Sequence, residues 1–239
     1  MEKKADNIIA YAKMIVGLEA EAVNYVAGLI DSSFEDAVKA ILAVQSTGRV
    51  IVSGIGKAGF IGMKISATLA STGTRSFFLH PAEAIHGDLG RYSKDDLVII
   101  LSNSGETPEI LKIVPAIKRV GCPVISITGS KTSSLAKHSD IAISIGELAE
   151  AGPLGLAPTT STTAMLAIGD ALAMAVLNQR GLTKEEFAFY HPGGSLGRKL
   201  MTVSELMRRG EENAVAKAVS YTHLRAHETK ANLVCRLLL

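Results

Sequence analysis

Leu97-Val98-Ile99-Ile100-Leu101 runs without a break into Ser102-Asn103-Ser104-Gly105-Glu106-Thr107, and Pro108 and Glu109 follow. Five consecutive apolar residues read as a strand buried on both faces. The polar, glycine-containing hexapeptide with Pro108 behind it marks a strand-to-helix turn, because proline suits the first position of a helix. Free backbone N–H groups at that helix start, the helix dipole behind them and the hydroxyls of Ser102, Ser104 and Thr107 make a cradle suited to phosphate. Glu106 and Glu109 conflict with a site built only to hold phosphate, since their charge repels it unless the carboxylates have another task. Proton transfer is one such task.

Four more short apolar runs accompany this one: Arg49–Val52, Ser76–Leu79, Val124–Ile127 and Ile141–Ile145. Loop signals and mostly helical segments separate them. The alternation predicts an α/β fold in which a five-stranded parallel sheet is covered by helices on both faces, making three layers. Ahead of the sheet, apolar residues at helical spacing from Ala5 to Ile30 predict a long amphipathic helix. Ser32 with Glu35 three residues on predicts a capping box that opens a second helix running to about Val44. After the last strand come a polar loop, Gly146 to Pro158, and an Ala-rich helix, Thr160 to Asn178, with Gly181 where a C-cap belongs.

At 239 residues and 47% hydrophobic content, the chain suits one large domain or one domain plus a fragment. Its formal charge is +2, and residues 220–239 hold Arg225, Lys230 and Arg236 against Glu228, so the remainder is neutral and carries no nucleic-acid footprint. No run of about 18 apolar residues predicts a bilayer span, and no basic then apolar leader opens the chain, so a cytoplasmic protein without a membrane partner is expected. Cys122 and Cys235 form neither a disulfide framework nor a metal-ligand spacing, and Cys122 before Pro123 reads as a small apolar residue entering a strand. Ser220-Tyr221-Thr222-His223-Leu224-Arg225-Ala226-His227-Glu228-Thr229 resembles a translated sequencing adaptor, so residues 220–239 are expected to be non-native.

Gly54-Ile55-Gly56-Lys57-Ala58-Gly59 fits G-x-G-x-x-G between a strand and a helix, which is the dinucleotide fingerprint in its usual context. That fingerprint also needs an acid about 20 residues on to hold the ribose hydroxyls. Between Lys57 and Ala82 there is no Asp or Glu, and no Gly-Lys-Ser/Thr closes the segment as a P-loop. A glycine turn that brings backbone and Lys57 close to a small ligand, without a cofactor, accounts better for these residues. Glycines serving only tight helix packing are the alternative.

Five strings, Ser53-Gly54-Ile55-Gly56-Lys57, His80-Pro81-Ala82-Glu83-Ala84-Ile85-His86-Gly87-Asp88, Ser102 to Thr107, Ala157-Pro158-Thr159-Thr160-Ser161-Thr162-Thr163 and His191-Pro192-Gly193-Gly194-Ser195-Leu196-Gly197, together resemble the sugar isomerase (SIS) domain. Within it they resemble the D-arabinose 5-phosphate isomerase family, over residues 1–200. The Ser102 to Thr107 string alone marks only the SIS fold, which also includes non-catalytic sugar-phosphate sensors; the His-Gly-Asp and His-Pro-Gly-Gly strings narrow it. Many members continue into a pair of CBS domains, and Val203-Ser204-Glu205-Leu206-Met207-Arg208-Arg209-Gly210 resembles the entry to such a pair. Residues 201–219 are therefore expected to be a linker and the start of a truncated CBS pair.

The resemblance implies an aldose–ketose isomerase that interconverts D-ribulose 5-phosphate and D-arabinose 5-phosphate through an enediol, needing no cofactor or metal. It implies a role in 3-deoxy-D-manno-octulosonate synthesis for lipopolysaccharide. A sugar-phosphate sensor and an isomerase of another phosphosugar are the alternatives. Ser53, Gly54, His86, Ser102, Asn103, Ser104, Gly105 and Thr107 are the expected substrate-binding residues, and the family positions give catalytic weight to Lys57, Glu109, Glu150 and His191. Lys57 would neutralise phosphate or enediolate charge. Glu109 and Glu150 form the candidate proton-transfer pair, provided burial raises a carboxyl pKa toward neutrality; which of them is the base stays open. Apart from the resemblance, Glu109 reads as a dipole-complementing surface acid and Glu150 as a loop acid. His191 and His86 would assist ring opening or polarise the carbonyl, whereas His80 and His138 read as structural. The resemblance further implies a homotetramer with sites lined by more than one subunit. Gly152-Pro153-Leu154-Gly155 beside Glu150 departs from the family pattern, and bears on substrate selectivity more than on the reaction.

Overall fold

Strands β1 (Val50–Gly54), β2 (Ser76–Phe78), β3 (Leu97–Leu101), β4 (Val124–Thr128) and β5 (Ile141–Ser144) form one parallel sheet in the order β2-β1-β3-β4-β5. The structure is a computed structural model and describes residues 7–191. The expected linker over 201–219, the tail over 220–239 and residues 192–197 of the string that begins at His191 lie outside the described residues.

Every residue of β1, β3 and β4 is buried, as continuous apolar runs require. Because side chains alternate across a strand, each strand feeds two cores. Val50, Val52, Leu97, Ile99 and Leu101 enter one core, and Ile51, Val98 and Ile100 enter the other. The first core is closed by α1 (Ile8–Ala27), α2 (Ser32–Ala43), α3 (Gly56–Ser71) and α7 (Thr160–Arg180). The second is closed by α4 (Pro81–Ile85), α5 (Pro108–Val120) and α6 (Ser134–His138). This is the three-layer α/β arrangement expected from the alternation of runs. A short α8 (Lys184–Phe189) follows α7.

Local details differ in places from the reading of the sequence. Asp31, not Ser32, caps α2, accepting from Ser33 N at 3.0 Å, and Glu35 pairs with Lys39 at 2.6 Å instead of closing a capping box. An ion-pair partner, Lys131, and Ser33 hold the Asp31 carboxyl at about 2. By length and composition α7 is apolar enough to cross a membrane, contrary to expectation. It is instead a core helix: nine of its residues are buried, and it packs on α1, α2 and α3. Cys122 behaves as the small apolar residue it was read to be. It is buried against β4 with Sγ donating to Ser93 O, and burial pushes its thiol up to about 11.

The order β2-β1-β3-β4 positions the site. The helix after β1, α3, covers one face of the sheet and the helix after β3, α5, covers the other. The two chains therefore part beyond the carboxyl ends of β1 and β3, leaving a crevice at this switch in direction.

Candidate active site

A cleft of about 290 Å³ fills that crevice. Lys57 and Ala58 reach it from the start of α3, Ser102, Ser104 and Thr107 from the β3–α5 turn, and Ser161 and Thr162 from the start of α7. Three helix starts thus share one cleft with one lysine. Each contributes partial positive charge, so the cleft is matched to an anion.

Two amides of the turn are already engaged by its own hydroxyls. Gly105 N already donates to Ser102 Oγ at 3.1 Å, and Glu106 N donates to Ser104 Oγ at 3.2 Å. Ser102 Oγ and Thr107 Oγ1 are hydrogen-bonded to each other at 2.9 Å. A hydroxyl that accepts from an amide keeps its own proton to donate, so Ser104 and one member of the Ser102–Thr107 pair retain a donor for a bound oxyanion. The amides of Gly105 and Glu106, part of the expected grip, are thus turned onto the loop's own hydroxyls.

The turn is braced from below by the segment after β4. Gly105 has φ +63°, and a Cβ there would lie 2.3 Å from Ser133 Oγ and 2.5 Å from Ser133 Cβ. Leu135 N donates to Gly105 O at 2.9 Å, and Gly129 N donates to Asn103 O at 2.9 Å. Glu106 points into the same brace: its Oε1 accepts from Ser134 N at 2.7 Å, at the start of α6, and this bond holds the carboxyl below its ordinary value. The charge that conflicted with a phosphate cradle is therefore spent on a neighbouring helix. A carboxyl lowered on folding stabilises above its unfolded value of 4.5, and that contribution is lost as pH falls through the lowered folded value. Glu106→Gln should accordingly be less stable than the parent at neutral pH and converge with it in acid, read from urea midpoints across pH. Equal midpoints at neutral pH would remove the brace.

Glu150 differs from expectation. Its Oε2 accepts from Thr159 N at 2.7 Å, Thr160 Oγ1 at 3.1 Å and Ser161 N at 3.3 Å, and its Oε1 accepts from Ser161 Oγ. Burial works to raise its pKa, but these bonds outweigh it, and the carboxyl lies below the usual range. Glu150 is thus an ionised cap on α7, standing behind the cleft residue Ser161, and not a carboxyl raised toward neutrality.

The remaining expected residues separate into two groups. Lys57, Ser102, Asn103, Ser104 and Thr107 line the cleft together. Ser53 is fully buried with its hydroxyl donating to Leu79 O at 2.7 Å, so it ties β1 to the segment after β2 and does not reach the cleft. Gly54 packs under α3, where a Cβ at Gly59 would lie 2.7 Å from Gly54 O; close strand–helix packing accounts for this pair. Glu109 is exposed in the first turn of α5, and His86 is exposed just past α4; neither lines the cleft. His191 stacks on Phe187 with ring centroids 4.1 Å apart, and its Nδ1 is 2.8 Å from Phe187 O. Its neighbour Tyr190 packs at Gly73, ahead of β2, so His191 sits toward the amino end of the sheet, away from the cleft. His80 caps α4 by accepting from Ala82 N, a structural use. Among the described residues no group of three or more His, Cys, Asp or Glu could hold a metal ion.

A match to the SIS domain runs over residues 43–175, more than half of the chain. The chain belongs to the SIS domain family. The chain is similar to Arabinose 5-phosphate isomerase KdsD of Pseudomonas aeruginosa, 52% identical over 206 residues, which are 86% of this chain and 63% of that one. The protein of the same name from Escherichia coli K12 is 46% identical over 223 residues, 92% of this chain and 67% of that one. The chain therefore spans about two thirds of the length of these curated relatives. Among solved structures, that of Escherichia coli CFT073 c3406 in complex with A5P matches with a TM-score of 0.75 at 44% identity, covering 80% of this chain and all of that one.

Every cleft residue of this SIS domain lies inside the matched span, whereas His191 lies beyond it. Ser161 and Thr162 are the cleft hydroxyls that stand in a string quoted for the resemblance but not among the expected site residues. Their signal was the hydroxyl run Thr159-Thr160-Ser161-Thr162-Thr163 directly after Pro158, which marks a polar helix start. Placing that start beside β1 and β3 requires closing the loop between β5 and α7, and no local pattern specifies that closure.

Proposed function

We propose that the chain is an aldose–ketose isomerase interconverting D-ribulose 5-phosphate and D-arabinose 5-phosphate. The observation that carries this is the cleft in which Lys57, the Ser102–Thr107 hydroxyls and three helix starts meet. It suits a phosphate ester, in a chain whose curated relatives at 46–52% identity are named arabinose 5-phosphate isomerases. The Ser104 and Ser102–Thr107 hydroxyls hold the phosphate. Lys57 faces the charge that develops on the sugar oxygens when a proton leaves carbon. In the aldose-to-ketose direction a carboxylate takes the proton from C2, the electron pair forms the C1–C2 enediolate, and the proton returns at C1. A proton moves from the C2 oxygen to the C1 oxygen, so the exchange is balanced without oxidant or reductant.

Glu109 is the carboxylate we assign to the carbon-bound proton, since Glu150 is committed to α7. Glu109, His86 and His191 complete the site in a homotetramer, in which a second subunit supplies the groups that a single chain leaves outside its cleft. The face of α1 supports such contacts, with Ile8 82% and Val16 67% exposed. The setting we propose is the cytoplasm, and the product feeds 3-deoxy-D-manno-octulosonate for lipopolysaccharide.

The test is incubation with ribulose 5-phosphate, without added metal or nucleotide, following aldopentose phosphate. Conversion is expected, with Glu109→Gln lowering kcat by about 100-fold or more at a similar KM. Binding without conversion would turn the reading to a sensor, and full activity in Glu109→Gln would remove that residue from the chemistry.

A further inference from the structure

A second cavity, of about 520 Å³, lies at the other end of the sheet from the cleft, and Arg49, Arg75 and Arg91 line it around Phe77, with Tyr190 and Ser76 beside them. Arg49 and Arg75 stand immediately ahead of β1 and β2. One strand of five residues separates this cavity from the cleft, a distance on the order of 17 Å. We propose that it is a second anion site, which takes an organic phosphate monoester of nucleotide size.

Charge makes the first argument. Of the five arginines in residues 7–191, three line the cavity, and a fourth, Arg180, donates to Gly73 O at 2.8 Å and Thr74 Oγ1 at 2.9 Å on its edge. Only Arg119 lies elsewhere. Among the described residues the carboxylates within 4.0 Å of these three arginines are Asp96, 3.5 Å from Arg49, and Asp88, 3.3 Å from Arg91, while Asp95 accepts from Thr47 Oγ1, and none of the three lines the cavity. Among the described residues Arg75 has no carboxylate within 4.0 Å; its guanidinium donates to Ser46 O. Three guanidiniums line the cavity and no carboxylate does, which leaves a positive potential at its wall that a bound anion offsets.

Geometry makes the second. The Arg49 and Arg91 guanidinium carbons lie 4.8 Å and 5.0 Å from the Phe77 ring centroid, and Arg49 Nη2 also donates to Arg91 O at 2.9 Å. These groups are held in place by a ring and by backbone carbonyls before any ligand arrives. Guanidinium forks match phosphate oxygens in pairs, and a planar base can stack on a guanidinium or an aromatic ring. The volume exceeds that of a bare phosphate ion and falls in the range of small-molecule sites.

The proposal stands apart from the isomerase reading, and its test uses no turnover. Titration calorimetry of the full chain with AMP should show saturable binding with a sub-millimolar Kd. Hydrogen bonds to charged groups are worth about 1.5–3 kcal/mol, so Arg75→Gln and Arg91→Gln should each weaken AMP by about tenfold or more. Ser104→Ala, in the cleft, should leave AMP affinity unchanged, and adenosine, lacking the phosphate, should not bind. Both arginines are exposed, and thermal melting of each variant verifies that the fold is kept. The proposal is overturned by an absence of saturable AMP binding, by equal affinity in both arginine variants, by loss of affinity in Ser104→Ala, or by adenosine binding as well as AMP.

Discussion

Glu150→Gln is expected to lose stability and turnover together, where a carboxylate acting purely as a base would lose turnover alone. The parent side chain receives Thr159 N, Thr160 Oγ1 and Ser161 N on one oxygen and Ser161 Oγ on the other. A glutamine keeps one acceptor oxygen, turns its amide toward Ser161 Oγ, and removes the negative charge from the start of α7. Charge-assisted bonds to a partly buried carboxylate weaken to neutral ones, a loss of about 1–3 kcal/mol. Because the folded pKa lies below the unfolded 4.5, the difference from the parent should be complete above that pH and shrink as pH falls through the folded value. Ser161 and Thr162 would also loosen at the cleft, so KM should rise along with the fall in kcat. Urea denaturation across pH, paired with the ribulose 5-phosphate assay, separates the two effects. Parental stability with lost turnover would return Glu150 to the role of base.

Gly105→Ala should sharply weaken sugar-phosphate binding and cost stability as well. The position has φ +63°, and the added methyl would meet Ser133 Oγ at 2.3 Å, Ser133 Cβ at 2.5 Å and Thr128 Oγ1 at 2.9 Å. Left-handed backbone at alanine costs about 1–2 kcal/mol, and overpacking adds about 1–3 kcal/mol. The turn can escape only by lifting from the segment after β4, which breaks the Leu135 N to Gly105 O bond and displaces Ser102 and Ser104. Affinity for ribulose 5-phosphate should fall by about 100-fold or more, since about 2.8 kcal/mol of positioning suffices for that. Adding Ser133→Gly to this variant removes the two shortest contacts and leaves the approach to Thr128 Oγ1 and the backbone strain, so it should restore affinity only in part. Parental affinity in Gly105→Ala alone would show that the turn is not held as described.

The strands and the phosphate turn were legible because each is a local signal. A continuous apolar run such as Leu97 to Leu101 has few alternatives to a buried strand, and Ser102 to Thr107 carries its turn chemistry in its own residues. The misreadings have local causes too. Asp31 and Ser32 are adjacent cap formers, and choosing between them depends on the backbone angle at residue 31. The five-residue helices α4 and α6 are too short for helical periodicity to show. What sequence could not carry was partnership across the fold. Glu106 reads as a repelling charge until Ser134, 28 residues away, is seen to claim it. Glu150 reads as an acid awaiting burial until Thr159 to Ser161 close around it. His191 reads as a site residue through the resemblance, and within one chain its partner is Phe187, one helical turn back.

The brace beneath the phosphate turn also sets how the turn meets a ligand. Its amides at 105 and 106, its carbonyls at 103 and 105 and its glutamate are all engaged by other groups of the chain. The conformational entropy of that segment is therefore surrendered during folding and not on association. A turn shaped in this way by its own bonds has less ordering left to lose when an ester is held against it.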